Sequence, residues 1–70
     1  MSSECEGKSS WPELVGVQGE VAKEIIEREN PNVTAQIVVE GTQVDQQYIC
    51  TRVWVWVNTA GVVIEVPRIG

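Results

Sequence analysis

The sequence predicts a single α+β domain, and three observations carry that prediction. A helical recurrence of apolar residues spans Glu20 to about Arg28, two later runs alternate as strands do, and seventy residues allow only one small core. No internal repeat, linker or low-complexity segment divides the chain, so residues 1–70 read as one unit.

At the start, Ser9-Ser-Trp-Pro-Glu-Leu14 combines Pro12 with the bulky Trp11 and Leu14, a pattern expected to form a short turn that pins the amino terminus to the core. Gly16 and Gly19 bracket a loop. Val21, Ala22, Ile25 and Ile26 then recur at helical spacing, leaving Lys23, Glu24, Glu27 and Arg28 on the solvent side. Glu24 and Arg28 stand four apart in the favourable order, and Glu20 suits the first turn. Asn30-Pro-Asn32 stops the helix, because Pro31 disfavours helical geometry at Asn30.

Val33, Ala35, Ile37 and Val39 alternate with Thr34 and Gln36, which predicts the first strand. The second strand, Arg52-Val-Trp-Val-Trp-Val57, puts Val53, Val55 and Val57 on one face and Arg52, Trp54 and Trp56 on the other. The valine face is expected to pack under the helix. Two roles are open for the aromatic face: support for a loop lying over it, or cover for a second apolar patch. Asn58-Thr-Ala-Gly61 is read as a hairpin loop leading to a last strand, Val62–Val66.

Between the first two strands runs Glu40-Gly-Thr-Gln-Val-Asp-Gln-Gln-Tyr-Ile-Cys-Thr51, polar and without a short-turn pair such as Asn-Gly. A connection of about ten residues is too long for a tight hairpin, and such loops on a rigid scaffold tend to carry function.

The composition excludes several chemistries. With no histidine, His-based triads, general bases and metal sets are absent, and two distant cysteines make no zinc site. Glu20, Glu24 and Glu27 belong to a solvated helix face and Asp45 stands alone, so paired carboxylate catalysis has no candidates; an enzyme is not expected, nor a metal or cofactor. A net charge of −5 without a basic cluster argues against nucleic acid, and no apolar run approaches membrane-spanning length.

Cys5 and Cys50 are the only cysteines; a bond between them would close a loop of about 45 residues and stabilise by roughly 4 kcal/mol, and it is favoured here over two free thiols. The polar start Met1–Lys8 lacks the apolar core of an export signal, which leads to the expectation of a cytoplasmic start, or a vacuolar or extracellular location if a precursor segment is missing. Asn32-Val33-Thr34 is a glycosylation sequon only formally, with Thr34 in a predicted strand.

Five segments carry a resemblance that extends over nearly the whole chain: Cys5–Gly16 with its Gly-Lys-Ser-Ser-Trp-Pro-Glu-Leu core, Ala22–Pro31, Glu40-Gly-Thr42, Cys50–Val53 and Trp56-Val-Asn58. The chain resembles plant serine-protease inhibitors of the potato inhibitor I family. The resemblance implies a helix on a small mixed sheet and an extended protease-binding loop, Thr42, Gln43, Val44, Asp45, Gln46, Gln47, Tyr48 and Ile49. It places the reactive bond between Gln46 and Gln47, pairs Cys5 with Cys50 in a disulfide, and makes serine endopeptidases the partners of a monomeric inhibitor.

Three positions depart from the family pattern. Members similar to this chain usually have Thr at the position of Asp45, an acidic residue at Gln47 and often a second basic residue at Trp54, so only Arg52 remains to tie the loop down. A compensated arrangement is expected: Asp45 pairs with Arg52, Gln47 keeps a neutral hydrogen bond, and Trp54 supports the loop by packing. Gln46 lacks the cation for a trypsin-type pocket and the bulk for a chymotrypsin-type one, which favours subtilisin-like targets. A non-inhibitory binding or storage protein with a drifted loop is the alternative.

Overall fold

A computed structural model describes residues 5–45 and 47–70. A 3-10 turn, Pro12–Leu14, precedes helix α1, Gly19–Glu29, and three strands follow: β1, Thr34–Val39; β2, Arg52–Val57; and β3, Arg68–Ile69. The sheet order is β1-β2-β3, with β1 and β2 parallel and β2 and β3 antiparallel, so the sheet is mixed as the resemblance implies.

The turn fixes the amino-terminal segment as predicted. Trp11 is fully buried, its main-chain N–H donates to the Pro67 carbonyl at 2.9 Å, and its indole Nε1–H donates to Glu29 at 2.9 Å, so the ring adds to the core without an orphaned donor. The helix buries Ala22 and Ile26 over Val53, Val55 and Val57, all nearly inaccessible, which is the valine face expected under it. Gly19 opens the helix at a close approach: a Cβ there would stand 2.8 Å from a Val57 methyl carbon.

Asn30 does more than end the helix. Its buried side chain donates to the carbonyls of Glu6 and Lys8, both at 2.9 Å, and accepts from the Asn32 N–H at 3.1 Å, satisfying the amide completely where water cannot reach. Gly7, at φ 82°, is the backbone this amide packs on; a Cβ there would lie 2.8 Å from the Asn30 side chain. The segment so held carries Cys5.

Two expectations are corrected. The alternation predicted in β1 holds for Ala35 but fails beyond it: Ile37 and Val39 share the face of Val55 and Val57 yet are exposed, while Val38, on the other face opposite Trp56, is buried. Their ladder partners Val55 and Val57 stay buried, so the cover fails at the edge strand β1 and not along the length of the sheet.

The second correction concerns the last strand, which is not Val62–Val66 but Arg68–Ile69. Asn58 to Val62 form a turn, with the Asn58 N–H on the Val62 carbonyl and the Asn58 side chain accepting from Ala60 and Val62, and Val63 makes a single bridge to Val57. Between that bridge and the Trp54–Arg68 pair, β2 advances three residues while the returning chain advances five. Two residues are therefore looped out, as in a bulge, and Pro67 lacks the N–H that would continue a ladder there.

At Ala35 the edge strand β1 is clipped to the helix by an ion pair the sequence did not announce. Lys23 and Glu27 meet at 2.8 Å, and together they bond both main-chain groups of Ala35: Lys23 donates to its carbonyl at 3.0 Å and its N–H donates to Glu27 at 2.9 Å. The hydrogen bond from Lys23, then that from Ala35, holds the Glu27 carboxyl below its ordinary value of 4.5. A lowered folded-state value stabilises the fold above about pH 4.5 and loses that contribution as pH falls through the folded value. Glu27→Gln should accordingly flatten the decline of Tm between about pH 5 and 3, and unchanged slopes for mutant and wild type would show that this clip bears no load.

Candidate functional site

The connection between β1 and β2 begins with a turn in which the Thr42 N–H reaches the Val39 carbonyl at 3.1 Å and Gly41 sits at φ 87°. From Thr42 to Ile49 the described residues form neither helix nor strand, and Thr42, Gln43, Asp45, Gln47 and Tyr48 are exposed while Val44 and Ile49 are half-buried. Tyr48 stands out at 69 % exposure, unusual for an aromatic side chain in so small a protein. Gln46 lies outside the described residues.

Arg52, the first residue of β2, bonds to the loop on both sides of position 46. It shares a face with Trp54, on the side of the sheet opposite α1, and its side chain is only 13 % exposed although it carries a charge. Every nitrogen of the guanidinium has a partner. Nη1 pairs with the Asp45 carboxylate, at 2.9 Å from one oxygen and 3.2 Å from the other; Nη2 donates to the Gln47 carbonyl; Nε donates to the Gly70 carbonyl at 2.9 Å. The planar fork thus holds one residue on each side of position 46 at once, which a lysine could not do.

The indole of Trp54 lies under this fork, with the guanidinium carbon 4.5 Å from the ring centroid. Stacking of this kind fixes the plane of the cation as well as attracting it. On the aromatic face, Trp54 underlies the guanidinium that bonds Asp45 and Gln47, while Trp56 stands opposite buried Val38. The expectation for Gln47 needs amendment, since the observed bond uses its main-chain carbonyl and not its side-chain amide.

The far end of the loop is held covalently. Cys5 and Cys50 form a disulfide with Cα atoms 5.2 Å apart, and the Cys5 sulfur lies 3.4 Å from the Tyr48 hydroxyl. The anchor continues inward, because the segment bearing Cys5 is bonded to buried Asn30 at the end of α1. Reduction should lower Tm by about 10 °C or more, on a scale of roughly 2–4 kcal/mol. Two titratable thiols in the native, unreduced protein would contradict the bond.

Gly70 is the site residue the sequence reading missed. It pairs with Arg52 twice, accepting from Nε and donating its N–H to the Arg52 carbonyl at 2.9 Å, and it touches the loop from below: a Cβ at its φ of 148° would meet the Tyr48 ring at 3.3 Å. Ladder pairing of β3 beside Trp54 delivers it there. Arg68, opposite Trp54 in that ladder, is exposed and, among the described residues, bonded to none of the loop. No group of three metal-ligating side chains occurs among the described residues.

The potato inhibitor I family model matches residues 3–70. The chain is 62 % identical over 68 residues to the inhibitor of trypsin and Hageman factor of Cucurbita maxima, covering 97 % of this chain and all of that one. It is 53 % identical over 68 residues to the Glu S. griseus protease inhibitor of Momordica charantia, with the same coverage of each. The crystal structure of bitter gourd trypsin inhibitor superposes with a TM-score of 0.94 at 51 % identity, over 97 % of this chain and 100 % of that one. With its loop, Arg52 and disulfide arranged on a helix and a mixed sheet, this chain belongs to the potato inhibitor I family.

Proposed function

We propose that this protein inhibits serine endopeptidases by presenting residues 42–49 as a substrate that is bound firmly and released or hydrolysed slowly. One observation carries the reading: a single guanidinium, itself stacked and nearly buried, grips Asp45 and the Gln47 main chain on either side of position 46. A loop held before docking loses little conformational entropy on binding. After cleavage, the same bonds would keep the two new ends adjacent, so religation competes with release.

The reactive bond is Gln46–Gln47. Gln46 enters the primary pocket, Val44, Asp45, Gln47 and Tyr48 flank it, Thr42, Gln43 and Ile49 complete the contact strip, and Arg52 with Trp54 supports it from behind. Relatives of this chain bear the names inhibitor of trypsin and Hageman factor and Glu S. griseus protease inhibitor, so the scaffold serves against more than one protease. A neutral side chain at position 46 leaves the buried carboxylate of a trypsin-type pocket unpaired, whereas a broad, shallow subtilisin-type cleft requires no cation. Subtilisin-like enzymes are the preferred targets.

Inhibition constants against subtilisin, trypsin, chymotrypsin and a glutamyl-specific protease, under one set of conditions, test this reading. Tightest stoichiometric inhibition of subtilisin supports it. Stronger inhibition of trypsin would reverse the preference, and indifference or rapid cleavage across the panel would point to a scaffold with a drifted loop.

A further inference from the structure

We propose that the outer edge of β1, at Ile37 to Val39, is a docking site for an extended partner segment that alternates apolar and basic side chains. β1 ends the sheet, and its pairing with β2 uses the even-numbered residues: the Thr34 N–H bonds to the Thr51 carbonyl at 2.8 Å and the Glu40 N–H to the Val57 carbonyl at 2.8 Å. In a parallel ladder the alternate residues then turn both main-chain groups outward, which here are Ala35, Ile37 and Val39. The Lys23–Glu27 pair satisfies Ala35, and the Thr42 N–H satisfies the Val39 carbonyl. Among the described residues, nothing bonds the outward N–H or C=O of Ile37.

The open stretch is also apolar where edges are ordinarily blunted by charge or proline. Ile37 is 39 % exposed, Val39 45 % and Val21 47 %, and all three contribute to one shallow groove between the start of α1 and the end of β1. A strand added at this edge would gain main-chain bonds from Ile37 and apolar contact from its neighbours.

Charge selects the occupant. The helix side of the edge is lined by Glu20, Lys23, Glu24 and Glu27 beside Ile37; Lys23 is committed to Glu27, and Glu20 has no ion-pair partner among the described residues. A second copy of this chain would bring the same acids against these, in a protein of net charge −5, so self-pairing is opposed while a basic segment is favoured. The edge faces away from the loop's support, since Ile37 lies on the α1 side of the sheet and Arg52 and Trp54 on the other. Binding at the edge uses neither residue, so it is measured separately from the proposed inhibition.

The test is a titration of the isotope-labelled full chain, followed by amide chemical shifts, with a capped hexapeptide alternating valine and lysine. Saturable shifts at Ile37 and Val39 are expected, together with slower hydrogen exchange of the Ile37 N–H, and Glu20→Lys should weaken binding by about three- to fivefold. The proposal is overturned by absence of saturable shifts at those amides or by equal binding of a valine–glutamate hexapeptide. Concentration-dependent shifts of the same amides without peptide would identify a second copy as the occupant and overturn it equally.

Discussion

Gln46→Lys should gain trypsin inhibition by about two to four powers of ten, at tenfold per 1.4 kcal/mol, while changing subtilisin inhibition far less. The effect is large because the base of a trypsin-type pocket carries a buried carboxylate. Docking Gln46 there strips water from that charge and returns only a neutral amide; a lysine returns the counter-charge. Subtilisin-type clefts are broad and have no such charge to satisfy. The check is a pair of inhibition constants for wild type and mutant against each enzyme, with the melting curve confirming that the mutant is folded. No gain against trypsin in a folded mutant would mean that position 46 does not occupy the primary pocket.

Arg52→Ala should leave the fold standing and damage the loop. The substitution removes the bonds to Asp45 and to the Gln47 carbonyl together, and it strands the Gly70 carbonyl on which Nε now rests. Hydrogen bonds to a charged group contribute about 1.5–3 kcal/mol each, and the lower figure applies here because Asp45 is 58 % exposed. Two such bonds correspond to inhibition weaker by about a hundredfold, with faster hydrolysis of the Gln46–Gln47 bond. Arg52→Lys should recover little, since an ammonium cannot span Asp45, Gln47 and Gly70 at once. Unchanged inhibition and cleavage in Arg52→Ala would show that the loop's shape is held elsewhere.

What could be read from the chain alone divides along physical lines. The helix, β2 and its valine face follow from periodicity, which is local information, and they stand as expected except for Val21, which was read into the inner face of the helix and is 47 % exposed. Arg52 and Asp45 could be paired in advance because they are the one cation and the one anion within residues 42–52. Gly70 could not be anticipated, because its contact with Arg52 depends on where β3 pairs, and the apolar run Val62–Val66 points to a strand that starts six residues too early. The two looped-out residues and Pro67 shift that register, and no periodicity reports them.

Asn30 and the Lys23–Glu27 clip were hidden for a related reason. Each reads locally as ordinary, a helix-stopping residue and a solvated face, and each acquires its role from main-chain groups brought in by the fold: Glu6 and Lys8 for one, Ala35 for the other. Exposure of Ile37 and Val39 was likewise invisible, since alternation tells which face a side chain is on but not which strand lies at the edge of the sheet.

The central claim is that the loop is a slow substrate held by Arg52, and mapping the cleaved bond tests it most directly. The chain would be incubated with a small molar fraction of subtilisin, with residual activity followed in a parallel equimolar sample and the products weighed by mass spectrometry over time. The predicted result is one-to-one inhibition accompanied by slow appearance of a single nicked species, opened between Gln46 and Gln47 and held together by the Cys5–Cys50 disulfide until it is reduced. Rapid cleavage at several bonds without inhibition, or a first nick outside residues 42–49, would contradict it.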